Sequence, residues 1–353
     1  MAEPFIAELC ERIGARAAEG KPVRIRGGGT KDFYGGRLAE AEVVETSAWR
    51  GIVAYEPKEL VLTVRAGTPL AEVEEALAGE RQMLAFEPPH FGGGATIGGA
   101  VAAGLSGPRR PYAGSVRDFV LGTRIVNGKG EALAFGGRVI KNVAGYDVSR
   151  LMAGALGTLG VVTEISFKVL PRPAVETTLA FTLDAAEAIV KSNQWAGQPL
   201  PLSATAWEDG TLRVRLSGAP PAVAAACAKL GGDEDPRGAE YWTQLREQRS
   251  AFFAGERALW RLSVPQATPP IATEHAQLIE WGGGVRWLRG PADPFSIRST
   301  VERCGGHATL FRGDDKSAGP FHPLQPALLK IHRRLKAAFD PAGILNPGRM
   351  YDF

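Results

Sequence analysis

The chain has 353 residues, 44% of them hydrophobic and 22% charged, the composition of an ordinary globular protein with room for two domains and a sizeable core. Its 41 lysines and arginines against 38 acidic residues leave a net charge of +3, too little over this length to call for nucleic acid or an anionic membrane, while small anionic ligands stay open. Three scattered cysteines, Cys10, Cys227 and Cys304, and no Cys-x-x-Cys argue against a disulfide framework, a zinc ribbon or an iron–sulfur cluster held by this chain alone, and fit a reducing cytoplasm.

MAEPFIAELCERIGARAAEG is periodic in Ile6, Leu9 and Ile13, which predicts an amphipathic helix rather than a secretion signal, and no apolar run approaches a membrane span. VRIR then alternates as a strand and runs into Gly27, Gly28 and Gly29. ELVLTVRAG predicts a second strand, after which Thr68 and Pro69 are placed to cap and begin the helix LAEVEEALA. Asn127 and Gly128 stand between two apolar-alternating runs, the pattern of a tight hairpin. GVVTEISFKVL is a further strand, stopped by Pro171 and Pro173, and a boundary follows near 171–175. Beyond it the order reads β-α-β-β-α, with a helix opening at Asp184, a turn at Asp209-Gly210 and a second helix in PPAVAAACAKL. ALWRLSVP, TEHAQLIEW, GVRWLRG, DPFSIRSTVERC and HATLFRG continue the alternation, so helices on one mainly antiparallel sheet are expected. LQPALLKIHRRLKAAF is a helix with Leu328, Leu329, Ile331 and Leu335 apolar, broken at Asp340-Pro341; whether its Lys330, Arg333, Arg334 and Lys336 face a partner or water stays open.

Many of the 44 glycines cluster at 27–29, 92–94, 98–99 and 154, 157 and 160. Each costs roughly 0.5–1 kcal/mol of extra chain entropy on ordering. A bare backbone can aim several N–H groups at one point, and a bond from each to a phosphate oxygen contributes about 1.5–3 kcal/mol, so two or three offset the cost. Turn formation is the plain alternative for any single run, but several runs in one region favour a large phosphate-bearing ligand. GGGTKD and GGGATI lack the last glycine of G-x-G-x-x-G, and no P-loop, serine-hydrolase elbow or H-E-x-x-H occurs. The five histidines show no metal-ligand spacing, and no metal site is expected.

PVRIRGGGTKDFYG, EPPHFGGGATIGGAVAAGLSGPRRPYAGSVRDFVLG and RVIKNVAGYDVSRLMAGALGTLGVVTEISFKVLPRP resemble, in that order, the flavin-binding half of the vanillyl-alcohol-oxidase superfamily (PCMH-type FAD-binding). KNVAGYDVSRLMAGALGTLG, GLSGPRRPY and the length are more closely similar to the FAD-binding subunits of bacterial glycolate oxidases; FDPAGILNPGRM renews the likeness near the end. The resemblance implies an α+β protein: a two-lobed FAD-binding domain over 1–173, a smaller α+β cap over 174–320 with a mainly antiparallel sheet, and a helix and tail over 321–353 returning to the flavin domain.

The same resemblance assigns cofactor contacts. Arg26, Gly27, Gly28, Gly29, Thr30 and Lys31 match the family's diphosphate loop, and Thr96, Ile97, Gly98, Gly99, Gly104, Ser106 and Gly107 match the loop passing along the diphosphate and flavin. Gly114, Val116, Arg117 and Asp118 match the segment before the next strand, an ion pair between the last two being the structural alternative. Lys141, Asn142, Gly145, Tyr146 and Asp147 match a knot of residues near the adenosine end, where Gly157, Thr158, Leu159, Gly160, Val161 and Val162 lie, and Asn346 belongs to the returning tail. Thr30 stands where relatives with covalent flavin carry histidine, which implies dissociable FAD. The Gly-Glu-His-Gly motif of metal-dependent 2-hydroxy-acid dehydrogenases is absent, so catalytic residues are left unassigned; Arg109, Arg110 and Arg312 are candidate carboxylate anchors. The implied function is 2-hydroxy-acid oxidation to 2-oxo acid by a complex. In it this chain holds FAD and relays electrons beside a homologous flavin chain and an iron–sulfur chain, in the cytoplasm or peripheral at the inner membrane through the complex. A self-sufficient flavin oxidase of a sugar or lactone, and an inactive scaffold subunit, are the alternatives.

Overall fold

A computed structural model describes residues 3–137, 147–255 and 258–352. The N-terminal helix Pro4–Glu19 buries Leu9 and Ile13 against Val23, Val44, Val126, Val161 and the late residues Ile344 and Leu345. Its end is set by Gly20, whose φ of 62° suits the left-handed cap that a Cβ disfavours. Strands Val23–Arg26 and Glu42–Glu45 pair in parallel, and Val23 also bridges Leu345, so the chain's two ends are joined here.

Next to this lobe stands an antiparallel five-stranded sheet in the order Ile52–Glu56, Val61–Arg65, Val161–Lys168, Val120–Val126, Ala132–Gly136. Helices Leu70–Gly79 and Ile97–Ala103 cover it, sealing Leu62, Val64, Leu70, Val73, Phe86, Ile97 and Phe167. Two local expectations are corrected. Thr68 does not cap the helix at Leu70: its hydroxyl donates to Arg65 O (2.7 Å) and accepts from Gly51 N (2.9 Å), tying two loops together instead. Asn127-Gly128 is not a two-residue turn, because the strands stop at Val126 and resume at Ala132. Asn127 Oδ1 accepts from Lys129 N and Glu131 N, and Gly130 supplies the positive φ.

The second half is an antiparallel eight-stranded sheet in the order Asp233–Glu234, Val175–Thr182, Thr211–Gly218, Leu202–Glu208, Ala276–Glu280, Val285–Arg289, Leu259–Ser263, His307–Arg312. Asp209 and Gly210 both take positive φ (47° and 76°), the two-residue hairpin their sequence predicts. Asp184 caps Ala185–Ala196 by accepting from Glu187 N, and Glu187 returns the bond to Asp184 N. That helix, with Pro220–Leu230 and Pro294–Arg303, covers one face. The other face carries Ala204, Ala206, Leu259, Leu278, Val285, Trp287 and Phe311 onto Tyr34, Ala103, Leu105 and Leu156 of the first half.

The architecture is α+β, as expected. The C-terminal helix Pro326–Phe339 has no buried residue and leaves Leu328 and Ile331 about half exposed. It is held near its end: Lys336 Nζ donates to Thr158 O, Leu345 O and buried Asp340, Phe339 packs on Phe135, and Phe339 O accepts from Gly128 N.

Candidate functional site

Glycines 27–29, 98–99, 157 and 160 meet in one cleft between the parallel pair and the five-stranded sheet. Arg26 to Lys31 form one wall, Thr96, Gly98 and Gly99 another, and Gly157, Gly160 and Val162 a third, with Asn346 at the rim. The first two walls are packed back to back. A Cβ on Gly28 would lie 1.4 Å from Gly94 O, one on Gly27 2.5 Å from Thr96 Oγ1, and one on Gly98 2.7 Å from Ala66 O. These glycines are therefore needed for loop-on-loop approach, a requirement beyond the exposure of bare amides that the sequence suggested.

Both uses coexist. From Gly28 to Lys31 no backbone N–H is hydrogen-bonded to any described residue, although all four residues line the cleft. Gly29 takes a φ of 72°, a left-handed step that turns successive amides toward one point. Thr96 caps the helix Ile97–Ala103 by accepting from Gly99 N, and around Gly99 a Cβ would meet nothing else, so this backbone too is open to the cleft. The Lys31 ammonium donates to His90 O at 3.2 Å and its pKa is lowered to about 8 by desolvation, with Glu247 opposing that shift. Arg24 pairs with Asp32 at 2.5 Å beneath the loop. A narrow cleft with four free amides and a desolvated cation fits a diphosphate; a cation or an apolar ligand would leave those donors unsatisfied.

Other predicted contacts sit elsewhere or face away. Ile97, Val116 and Val161 point into the core. Gly104, at φ 67°, ends the helix against Gly154; Ser106 Oγ accepts from Val116 N, and Gly107 N donates to Phe86 O. Gly114 is pressed on Asp118, whose carboxylate accepts from the Ser115 amide and hydroxyl; Asp118 thus caps a turn, while Arg117 is exposed. Thr158 Oγ1 donates to Ala155 O, and Leu159 is buried. Asp147 caps Val148–Leu151 and pairs with Arg150, whereas Lys141, Asn142, Gly145 and Tyr146 lie outside the described residues. Asn346 accepts from Ile25 N and donates to Leu156 O, both at 2.7 Å, which stitches the tail across two walls.

Sequence reasoning missed Ala103, Leu156 and Arg349, which also line the cleft. Arg349 donates to Asp32 O, Tyr34 O and Gly36 O and so braces the loop after Lys31; its place in NPGRM was the available signal. Of the candidate carboxylate anchors, Arg109 is corrected: it is buried and pairs with Glu87 and Glu176, while Arg215 of the large sheet pairs with Glu87 at 2.8 Å, so these charges lock the two halves together. Arg110 lies 4.5 Å from the Trp281 ring and Arg312 4.8 Å from that of Phe33.

Residues 6–136 match the family described as "FAD binding domain", and residues 322–350 match "FAD linked oxidases, C-terminal domain". The chain is 48% identical over 343 residues to the glycolate oxidase subunit GlcE of Escherichia coli, covering 97% of this chain and 96% of that one. It is 32% identical over 396 residues to the glycolate oxidase subunit GlcD of Bacillus subtilis, covering 94% and 84%. A D-lactate dehydrogenase of Archaeoglobus fulgidus is 32% identical over 167 residues, 47% of this chain and 37% of that one. Among solved structures, p-cresol methylhydroxylase with substrate bound superposes with a TM-score of 0.71 at 14% identity over 98% of this chain and 87% of that one, a likeness of fold.

Proposed function

The chain belongs to the family of the glycolate oxidase subunit GlcE, within the FAD-linked oxidoreductases, and from this we propose that it is the FAD-binding subunit of a glycolate oxidase (glycolate dehydrogenase) type complex that oxidises 2-hydroxy acids to 2-oxo acids. The observation that carries the reading is the row of free amides from Gly28 to Lys31 in a cleft walled by Thr96, Gly98 and Gly99 and by Gly157, Gly160 and Val162. In our reading those amides and Lys31 hold the diphosphate, and Asn346 fixes the tail that closes the cleft. When bound, FAD supplies a two-electron acceptor, and the chain's residues bind it, orient it and exclude water. Thr30 provides no histidyl bond, so the cofactor is held noncovalently.

The division into a flavin domain over 1–173, a cap over 174–320 and a returning helix and tail over 321–353 is part of the same proposal, supported by the two sheets and by the Lys336 and Asn346 anchors. The partners we propose are a flavin chain resembling GlcD and an iron–sulfur chain. Among the described residues no group of His, Cys, Asp and Glu is placed to hold a metal, and Cys10, Cys227 and Cys304 are free. No helix among the described residues is long and apolar enough to cross a membrane, and we place the complex in the cytoplasm or peripherally at the inner membrane.

The test is reconstitution of the purified chain with FAD followed by acid precipitation. A yellow protein that releases all its flavin to the supernatant is expected. A chain that stays colourless in excess FAD would refute the cofactor reading, and colour retained in the pellet would refute the noncovalent one.

A further inference from the structure

Directly after Lys31 the backbone runs through Asp32 to Gly36, and among the described residues no backbone N–H is bonded to any of their carbonyls. Two cations from distant parts of the chain take all of them. Arg349 donates to the carbonyls of Asp32, Tyr34 and Gly36. Lys316 Nζ donates to those between, Phe33 O and Gly35 O, both at 2.7 Å. Desolvation lowers the Lys316 pKa, the Arg349 charge lowers it further, and Asp314 opposes the shift. Holding two cations side by side is unfavourable unless acceptors join them, and here the acceptors are the carbonyls of one turn.

That turn is continuous with the row of free amides. Asp32 N donates to Gly29 O at 3.1 Å and Tyr34 N to Lys31 O at 3.0 Å, so the segment coils with the unbonded N–H groups of Gly28–Lys31 leading and the carbonyls of Asp32–Gly36 trailing. Peptide dipoles in such a coil add, and cations on the carbonyl side favour the alignment that leaves the amides electropositive. Lys316 follows the strand His307–Arg312 at the edge of the eight-stranded sheet and is not part of the cleft wall. Its own segment is fixed from behind: Arg298 of the helix Pro294–Arg303 donates to Ala318 O, Gly319 O and Phe321 O, and Gly319 N donates to Lys316 O. Side chains make the same junction, because the Phe33 and Tyr34 rings pack on Phe311 and Tyr34 also on Phe321.

We propose that Lys316 is a positioning residue for the cofactor: by holding Phe33 O and Gly35 O it fixes the turn that presents the Gly28–Lys31 amides, and so couples the edge of the eight-stranded sheet to FAD binding. The inference rests on the function proposed above, in which those amides hold the diphosphate. Arg349 shares the carbonyls but also lines the cleft, so its removal would mix bracing with contact. Lys316 is bonded to the turn without lining the cleft, and its removal isolates the bracing. Coupling is reciprocal, so FAD binding must in turn steady the segment that carries Lys316.

The experiment is fluorescence titration of the full FAD-free chain with FAD, beside hydrogen exchange over residues 29–36 and 313–319 and a thermal melt to confirm folding. K316M is expected to raise the Kd ~10-fold or more and to speed exchange over 29–36 in the FAD-free chain. K316R, which keeps the charge, should lie closer to the unmodified chain than K316Q, and K229M, which removes an exposed lysine, should bind FAD as the unmodified chain does. In the unmodified chain FAD should slow exchange over 313–319, and in K316M it should not. Folded K316M that binds FAD as tightly as the unmodified chain overturns the proposal, and so does exchange over 313–319 that FAD leaves unmoved. If K316M does not fold, K316Q decides the matter by the same readouts. An unmodified chain that takes up no FAD refutes the function proposed above and this coupling with it; FAD bound equally well with and without the lysine refutes the coupling alone.

Discussion

Replacing Gly28 with alanine adds one methyl group, and the structure states where it must go. The ideal Cβ falls 1.4 Å from Gly94 O, 2.5 Å from Gly94 C and 3.3 Å from Ala95 N, all backbone atoms that cannot rotate aside. Restoring an ordinary contact separates the two loops by about 2 Å, far more than a hydrogen bond tolerates between 2.7 and 3.2 Å. The free amides from Gly28 to Lys31 would then no longer converge with the wall at Thr96–Gly99. Losing two charge-assisted bonds at about 1.5 kcal/mol each amounts to about 3 kcal/mol, or ~100-fold in FAD affinity. The assay is fluorescence titration of the apoprotein with FAD, beside far-UV circular dichroism and a thermal melt. Gly93→Ala is the control, because a Cβ there meets nothing within 4 Å and its φ is not positive; its affinity should be unchanged. A G28A chain that is folded and binds FAD as tightly as the unmodified one would refute the loop-on-loop argument.

Two further outcomes follow from the charges between the halves. Glu87→Ala leaves Arg215, 5% exposed, without its carboxylate, and removes one of two acids from Arg109; a loss of about 3 kcal/mol in denaturant unfolding is expected, and a midpoint like that of the unmodified chain would show that the network carries little. Burial raises the Glu280 carboxyl from 4.5 to about 7, so the folded chain binds the extra proton across that interval. Its contribution is present below pH 4.5 and is lost as pH rises through about 7, amounting to about 3 kcal/mol. Glu280→Gln, which keeps an acceptor for Trp287, should flatten this part of the melting temperature's dependence on pH between 4.5 and 7; an identical slope in both proteins would sink the assignment.

Features whose causes lie within a few residues were legible in the sequence. The helix start at Asp184, the Asp209-Gly210 turn, the strand–helix alternation of the second half and the glycine runs were all readable, because capping, positive φ and side-chain periodicity act over two to four positions. The site's outline came from ordered motifs, and Arg26 to Lys31 with Thr96 to Gly99 do share a cleft. Where two local solutions competed, the fold chose: Thr68 had a helix end to cap but bonded Gly51 and Arg65, and Asn127-Gly128 gave way to a five-residue loop. Tertiary structure alone decided why Gly28 must be glycine, since its obstacle is Gly94, 66 positions away in the numbering. It alone separated Arg109, neutralised by Glu87 and Glu176, from Arg261 and Arg110, which lie by the Trp281 ring and form no ion pair among the described residues. A charge reads the same in sequence whether it is paired or free; only the return of distant strands determines which oxygen, if any, comes within reach.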